Sequence, residues 1–115
     1  MTMHELGIVK QIVATIEDLA IQNNEDHISQ LVLEIGELSQ VIPEFVSDIW
    51  TDVRKTDEML TDCELKIEVP EALVFCKVCG TTYHPTEDNA NCPGCGLKNF
   101  RIIDGGNMII KSIAF

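Results

Sequence analysis

Two short stretches decide how the rest of this 115-residue chain is read: CKVCG at 76–80 and CPGCG at 92–96, with twelve residues between Cys79 and Cys92. A C-x-x-C turn points both sulfurs at one ion, and Gly80 and Gly96 permit the tight turn that follows each pair. Two such knuckles supply four thiolates at the corners of a tetrahedron, a set that suits Zn²⁺. All four positions are then filled by protein, so a structural role is favoured over catalysis. The spacing predicts Cys76, Cys79, Cys92 and Cys95 as zinc ligands.

Two rivals stand beside zinc. Iron held by the same thiolates would carry electrons, as in rubredoxin, and would be red where zinc is colourless. A redox dithiol is the other, but the doubled motif and the lack of a βαβ context argue against it. The stretch around the knuckles, from about Leu73 to Phe100, is poor in branched aliphatic residues and holds Gly80, Pro85, Pro93, Gly94 and Gly96. So little apolar volume cannot build a core, and the segment needs a metal staple.

Outward from this insert, the periodicity changes in kind. Leu6, Val9, Ile12, Val13, Ile16, Leu19 and Ala20 recur in steps of three and four, one face of an amphipathic helix that Asn23 and Asn24 end. Leu31, Leu33 and Ile35 alternate as in a strand closed by Gly36. Pro43 suits the first turn of a second helix, followed at helical spacing by Phe45, Val46, Ile49, Trp50 and Val53. Leu65, Ile67 and Val69 alternate before Pro70. Arg101–Ile103 and Met108–Phe115 flank the Gly105-Gly106 turn signal as further strands. The last is apolar on both faces apart from Lys111 and Ser112, which predicts a central place in the sheet. The expected fold is α+β: two helices on a three-stranded sheet, residues 1–72 plus 104–115, with a four-cysteine zinc-ribbon-like module inserted at 73–103.

Eight basic residues against nineteen acidic ones give a net charge of −11. That surface repels phosphate backbones and anionic lipid, so neither nucleic acid nor membrane is an expected partner. Between Leu73 and Phe100 the basic residues are Lys77 and Lys98, against Glu87 and Asp88, and Zn²⁺ with four thiolates adds a net −2. No leader or membrane-length apolar run is visible, so the cytoplasm is expected, where cysteines are thiols or metal ligands. Cys63, alone before a strand, reads as a small buried hydrophobe rather than a nucleophile. His27 reads as solvated, and His84 as an exposed hairpin residue, with a place near the thiolates as its alternative.

The chain opens MTMHEL. Ni²⁺ or Cu²⁺ in a square plane can be held entirely by nitrogen: an amino terminus, deprotonated amides and an imidazole. That chelate needs histidine at residue two or three of the mature chain. A start at Met3 makes His4 second; removal of Met1 makes it third, with the Thr2 amine and the Met3 and His4 amides completing the plane.

With that start, the LEIGELS strand exit followed by Pro43-Glu44, and the C-x-x-C-G…C-P-x-C-G insertion, the whole chain resembles the HypA/HybF family of nickel metallochaperones. The resemblance implies nickel ligation by His4, with Glu5 as the supporting acid. It also implies zinc at the four cysteines, and Ni²⁺ delivery to the large subunit of [NiFe]-hydrogenase with the GTPase HypB. In some organisms urease maturation is served as well. A homodimer is compatible with all of this, and no enzymatic activity is expected. The chain departs from the family pattern in carrying Met1 and Thr2 ahead of the usual methionine, and Gln40 where glycine is common. A zinc-ribbon adaptor that binds proteins but no nickel is the leading alternative, and it predicts that His4 is dispensable.

Overall fold

The alternating Leu31, Leu33 and Ile35 place three fully buried side chains on one face of the strand Gln30–Ile35, β1. In the computed structural model, which describes residues 3–86 and 88–115 (residue 3 by its backbone), β1 is the centre of a three-stranded sheet. Glu87, counted above among the acids of the insert, lies outside the described residues. The helix Met3–Gln22, α1, lays Val9, Ile12, Ile16 and Ala20 on the inward face of β1. Its C-terminal turn closes through Asn24, whose φ of 57° lies in the left-handed region that asparagine tolerates better than most residues.

The helix Pro43–Thr56, α2, covers the same sheet face with Val46, Ile49 and Trp50. Pro43 occupies its first turn, where the missing N–H costs nothing. Glu44 near its start and Arg54 and Lys55 in its last turn complement the helix dipole. The connection through α2 is long enough to return the chain parallel to β1, and the strand Glu64–Glu68, β2, pairs parallel with it, Glu34 opposite Glu68. A single turn of 3₁₀ helix at Glu58–Leu60, not evident in the sequence, buries Leu60 and is capped by Asp57, which accepts a bond from the Met59 amide at 3.0 Å. Val69 lies just past β2 and is exposed, so the alternation ends one residue earlier than the sequence suggests.

The strand Leu73–Cys76, β3, pairs antiparallel with the two-residue Thr82–Tyr83, β4, and with Phe100–Asp104, β5, in a second sheet. The final strand Met108–Ala114, β6, pairs antiparallel with β1. The sheet order is β2-β1-β6, so β6 is an edge strand and not the central one its two apolar faces suggested. Both helices lie on one face of the sheet. The outward-pointing Ile109 is therefore left half-exposed rather than covered. A bulge between Val32 and Leu33 on the partner strand leaves Lys111 as the extra residue of β6.

The two sheets sit end to end, giving extents of 54 × 29 × 17 Å and a radius of gyration of 17.4 Å, against about 13 Å for a compact chain of this length. They are joined backbone to backbone. Gly36 donates to Asn107 O at 2.9 Å and Leu38 to Gly105 O at 2.8 Å. A Cβ on Gly36 would stand 2.3 Å from Gly105 O, so only glycine admits this approach. Leu38, from the turn after β1, packs into the second cluster of Val74, Cys76, Tyr83 and Cys92. Among the described residues no helix is long and apolar enough to cross a membrane.

Candidate metal centre

Each knuckle folds the same way. Gly80 N–H donates to Cys76 O at 3.0 Å and Gly96 N–H to Cys92 O at 2.8 Å, with φ of 80° and 77° at the two glycines. Those left-handed values are what the trailing glycines were expected to supply. Gly94 serves a different need: a Cβ there would meet Thr81 Oγ1 at 2.9 Å and Cys79 Sγ at 3.4 Å.

The four sulfurs of Cys76, Cys79, Cys92 and Cys95 lie within 4.8 Å of one another, with Cys76–Cys95 at 3.7 Å and Cys79–Cys92 at 3.5 Å. A tetrahedron with metal–sulfur bonds of about 2.3 Å separates its sulfurs by about 3.8 Å, and a disulfide would need about 2.05 Å. The spacing therefore fits one metal ion shared by four cysteines. β3 delivers Cys76 at its end, and its antiparallel pairing with β5 brings the second knuckle back beside the first.

The surroundings favour thiolate at Cys79 and Cys76. Thr81, through its side chain 3.2 Å from the sulfur and its backbone amide, holds the Cys79 thiol down to about 6. The Cys79 and Val78 amides likewise lower Cys76. At Cys95 the Leu97 amide favours the thiolate, but desolvation and the neighbouring cysteines outweigh it and push the thiol up to about 11. Four sulfurs at this spacing cannot all carry charge without a cation between them, and a divalent ion supplies it. The cysteine spacing alone does not single out Thr81. Its signal is its place directly after the first knuckle glycine.

At the N-terminus the structure separates two neighbours. His4 is exposed, whereas Glu5 is 2 % exposed and heads the inward stripe continued by Val9, Ile12 and Ile16. Successive helical residues are about 100° apart, so the imidazole and the carboxylate leave the helix in different directions. Extending the three-and-four periodicity back from Val9 would have found Glu5 on the buried side. Of the two amines that could complete the all-nitrogen chelate, that of Thr2 lies outside the described residues and Met3 is described by its backbone alone.

The remaining candidates are apart from the cysteines. His84 Nδ1–H donates to Ala72 O at 2.8 Å, and Ala72 N–H donates to Glu37 Oε2 at 3.2 Å, so this histidine ties the ribbon to the link between the sheets. His27 is exposed and pairs with Asp26 at 3.0 Å. Cys63 is fully buried, and burial pushes its thiol up, away from nucleophilic chemistry.

Fold and site together define a class: a small α+β protein whose second sheet is clasped by a four-cysteine metal site. A family model described as "Hydrogenase/urease nickel incorporation, metallochaperone, hypA" matches residues 3–115. The chain belongs to the HypA family. It is similar to hydrogenase maturation factor HypA of Aquifex aeolicus, 35 % identical over 111 residues covering 96 % of each chain. It is also similar to that of Francisella philomiragia, 31 % identical over 113 residues covering 98 % of this chain and 99 % of the relative. Among solved structures, the Ni metallochaperone HypA from Helicobacter pylori superposes with a TM-score of 0.67 at 26 % identity, covering 96 % of this chain and 95 % of that one.

Proposed function

We propose that this chain is a non-enzymatic nickel metallochaperone that binds Ni²⁺ at its N-terminus and passes it on during maturation of [NiFe]-hydrogenase. The observation that carries this reading is the exposed His4 in the first turn of α1, in a chain matched along its length by a nickel-incorporation family. The first amides of a helix have no acceptor within the helix, so they can be given to a metal without breaking helical hydrogen bonds. An exposed terminal site also releases its cargo more readily than a buried cage.

In this account residues 1–72 plus 104–115 form the nickel-binding domain and 73–103 a zinc domain. His4 anchors Ni²⁺ together with the amino terminus and backbone amides. Glu5, pointing inward, supports the site by fixing the first turn rather than by ligation. Zn²⁺ at Cys76, Cys79, Cys92 and Cys95 is structural: when bound it neutralises the thiolates and closes the ribbon, and the backbone amides and Thr81 orient the sulfurs. The recipient machinery is the GTPase HypB and the hydrogenase large subunit, with urease maturation proteins as a second destination. Thiolates kept reduced for metal binding belong to the cytoplasm.

Intact-mass analysis with metal content, on untagged protein before and after Ni²⁺ addition, tests the reading. One zinc and one nickel per chain, nickel added without loss of zinc, are expected. Stoichiometric release of zinc on nickel addition would contradict two separate sites.

A further inference from the structure

Where the open face of the first sheet meets β5 and the Gly105-Gly106 turn, the surface folds into a cleft of about 370 Å³. Its walls carry Ile103 and Ile109, each 49 % exposed, and Pro70; its polar groups include the carboxylates of Glu34 and Asp104, and no basic residue lines it. Single exposed aliphatic residues are ordinary on a protein surface. Here two isoleucines from different sheets converge on one concavity together with two acids. Lys111 reaches within 3.8 Å of Glu34, but it is held at 2.6 Å by Glu68 and leaves Glu34 with acceptor capacity to spare.

We propose that this cleft docks a basic, aliphatic-rich segment of a partner protein, whose Arg or Lys stems lie on Ile103 and Ile109 while the charged heads meet Glu34 and Asp104. The inference goes beyond the nickel reading and does not depend on it. Charge complementarity selects the occupant. A chain of net charge −11, with two carboxylates at the rim of this cleft, disfavours an anionic occupant and attracts a cationic segment. Long basic side chains suit a site that is aliphatic below and acidic at the rim, because the methylene stem and the charged head want different surroundings. Arginine has the further advantage of forking onto a carboxylate with two parallel hydrogen bonds. The cleft spans both sheets, so its occupant would bridge them. It opens on the sheet face opposite α1 and α2, so α1, which bears His4, is left uncovered.

The test is a titration of the zinc-loaded, ¹⁵N-labelled full chain with the peptide acetyl-Leu-Arg-Ile-Arg-Leu-amide, and with its counterpart carrying Glu in place of both Arg. Amide shifts should move at Ile103, Gly106 and Ile109 with the basic peptide and not with the acidic one. The double substitution Glu34→Gln/Asp104→Asn should weaken binding about tenfold or more. Glu44→Gln/Asp48→Asn removes the same charge from exposed α2 and should change affinity less than about twofold. Amide spectra of both variants outside the cleft report that the fold is retained. Equal weakening by the two pairs would reduce the effect to non-specific attraction and overturn the proposal. So would shifts centred elsewhere, equal binding of the acidic peptide, no binding at all, or dimerisation through this face in sedimentation.

Discussion

Lys111 Nζ lies 2.6 Å from Glu68 Oε2, reaching across the central strand from one edge of the sheet to the other. Glu68 stands directly opposite Glu34 in the parallel β1–β2 pair, where two like charges would otherwise oppose each other. The bulge supplies Lys111 to that position, 3.8 Å from Glu34. Lys111→Met should therefore lower the Tm by an amount on the order of a few degrees, more at low salt than at high. Adding Glu34→Gln should recover part of the loss. The lysine holds the Glu68 carboxyl below its ordinary value. Its contribution is present above the ordinary carboxylate range and is lost as pH falls through the folded value. Melting curves of the three proteins against pH and salt check this; a Tm unchanged by Lys111→Met would remove the ladder from the account.

Glu17 of α1 hydrogen-bonds Asp57, the residue that caps the 3₁₀ turn, and that bond, with desolvation and the Asp57 charge, pushes its carboxyl up to about 7. The folded state thus holds a proton that the unfolded state releases at lower pH. The sign is opposite to that of Glu68: this contribution is full below the ordinary carboxylate value and lost as pH rises toward 7. Glu17→Gln supplies a permanent donor. It should flatten the pH dependence of the Tm between about pH 4.5 and 7 and leave neutral-pH stability equal or higher. An unchanged pH profile would show that the two carboxyls do not share a proton.

Gln40 sits at φ 65°, in the left-handed region, and is exposed. A side chain there costs about 1–2 kcal/mol, part of which glycine returns as unfolded-state entropy. Gln40→Gly should stabilise the chain by about 0.5–1 kcal/mol in urea unfolding, whereas Gln40→Ala should gain nothing. Equal effects of the two substitutions would contradict backbone strain as the cause.

These positions mark where the sequence is legible and where it is not. The stripe of Val9, Ile12 and Ile16 and the alternation of Leu31, Leu33 and Ile35 are local periodicities, so α1, α2 and β1 could be read directly. The knuckle glycines were legible for the same reason, since each answers to its own turn. β3 and β4 are four and two residues long, too short for a period, and exist through pairing beside the metal site. The edge position of β6 depends on which face the helices cover, which no single strand encodes. Leu38, in a turn, could not announce that it packs against a cluster formed by β3, β4 and the second knuckle.

The ribbon's own apolar cluster is small: Val74, Cys76, Tyr83 and Cys92, with Leu38 and Phe100 against it. Structural zinc contributes roughly 10–16 kcal/mol in isolated small domains, so zinc bound at the four cysteines would outweigh that packing. Cys92→Ser should abolish amide-exchange protection across 73–103 while β1, β2 and both helices keep theirs. Full metal content with native protection in the variant would refute the four-cysteine site.

The most direct measurement is the Ni²⁺ affinity of zinc-loaded wild type against His4→Ala by calorimetric titration across pH. The exposed His4 lies outside both apolar clusters, so its removal should leave zinc content and melting temperature unchanged. High-affinity Ni²⁺ binding should be lost in the variant. In the wild type it should strengthen as pH rises, because amides and imidazole must release protons to bind. A four-nitrogen square plane should also be yellow and diamagnetic. Equal nickel affinity in the two proteins would contradict the carrier account and leave a zinc-ribbon adaptor in its place.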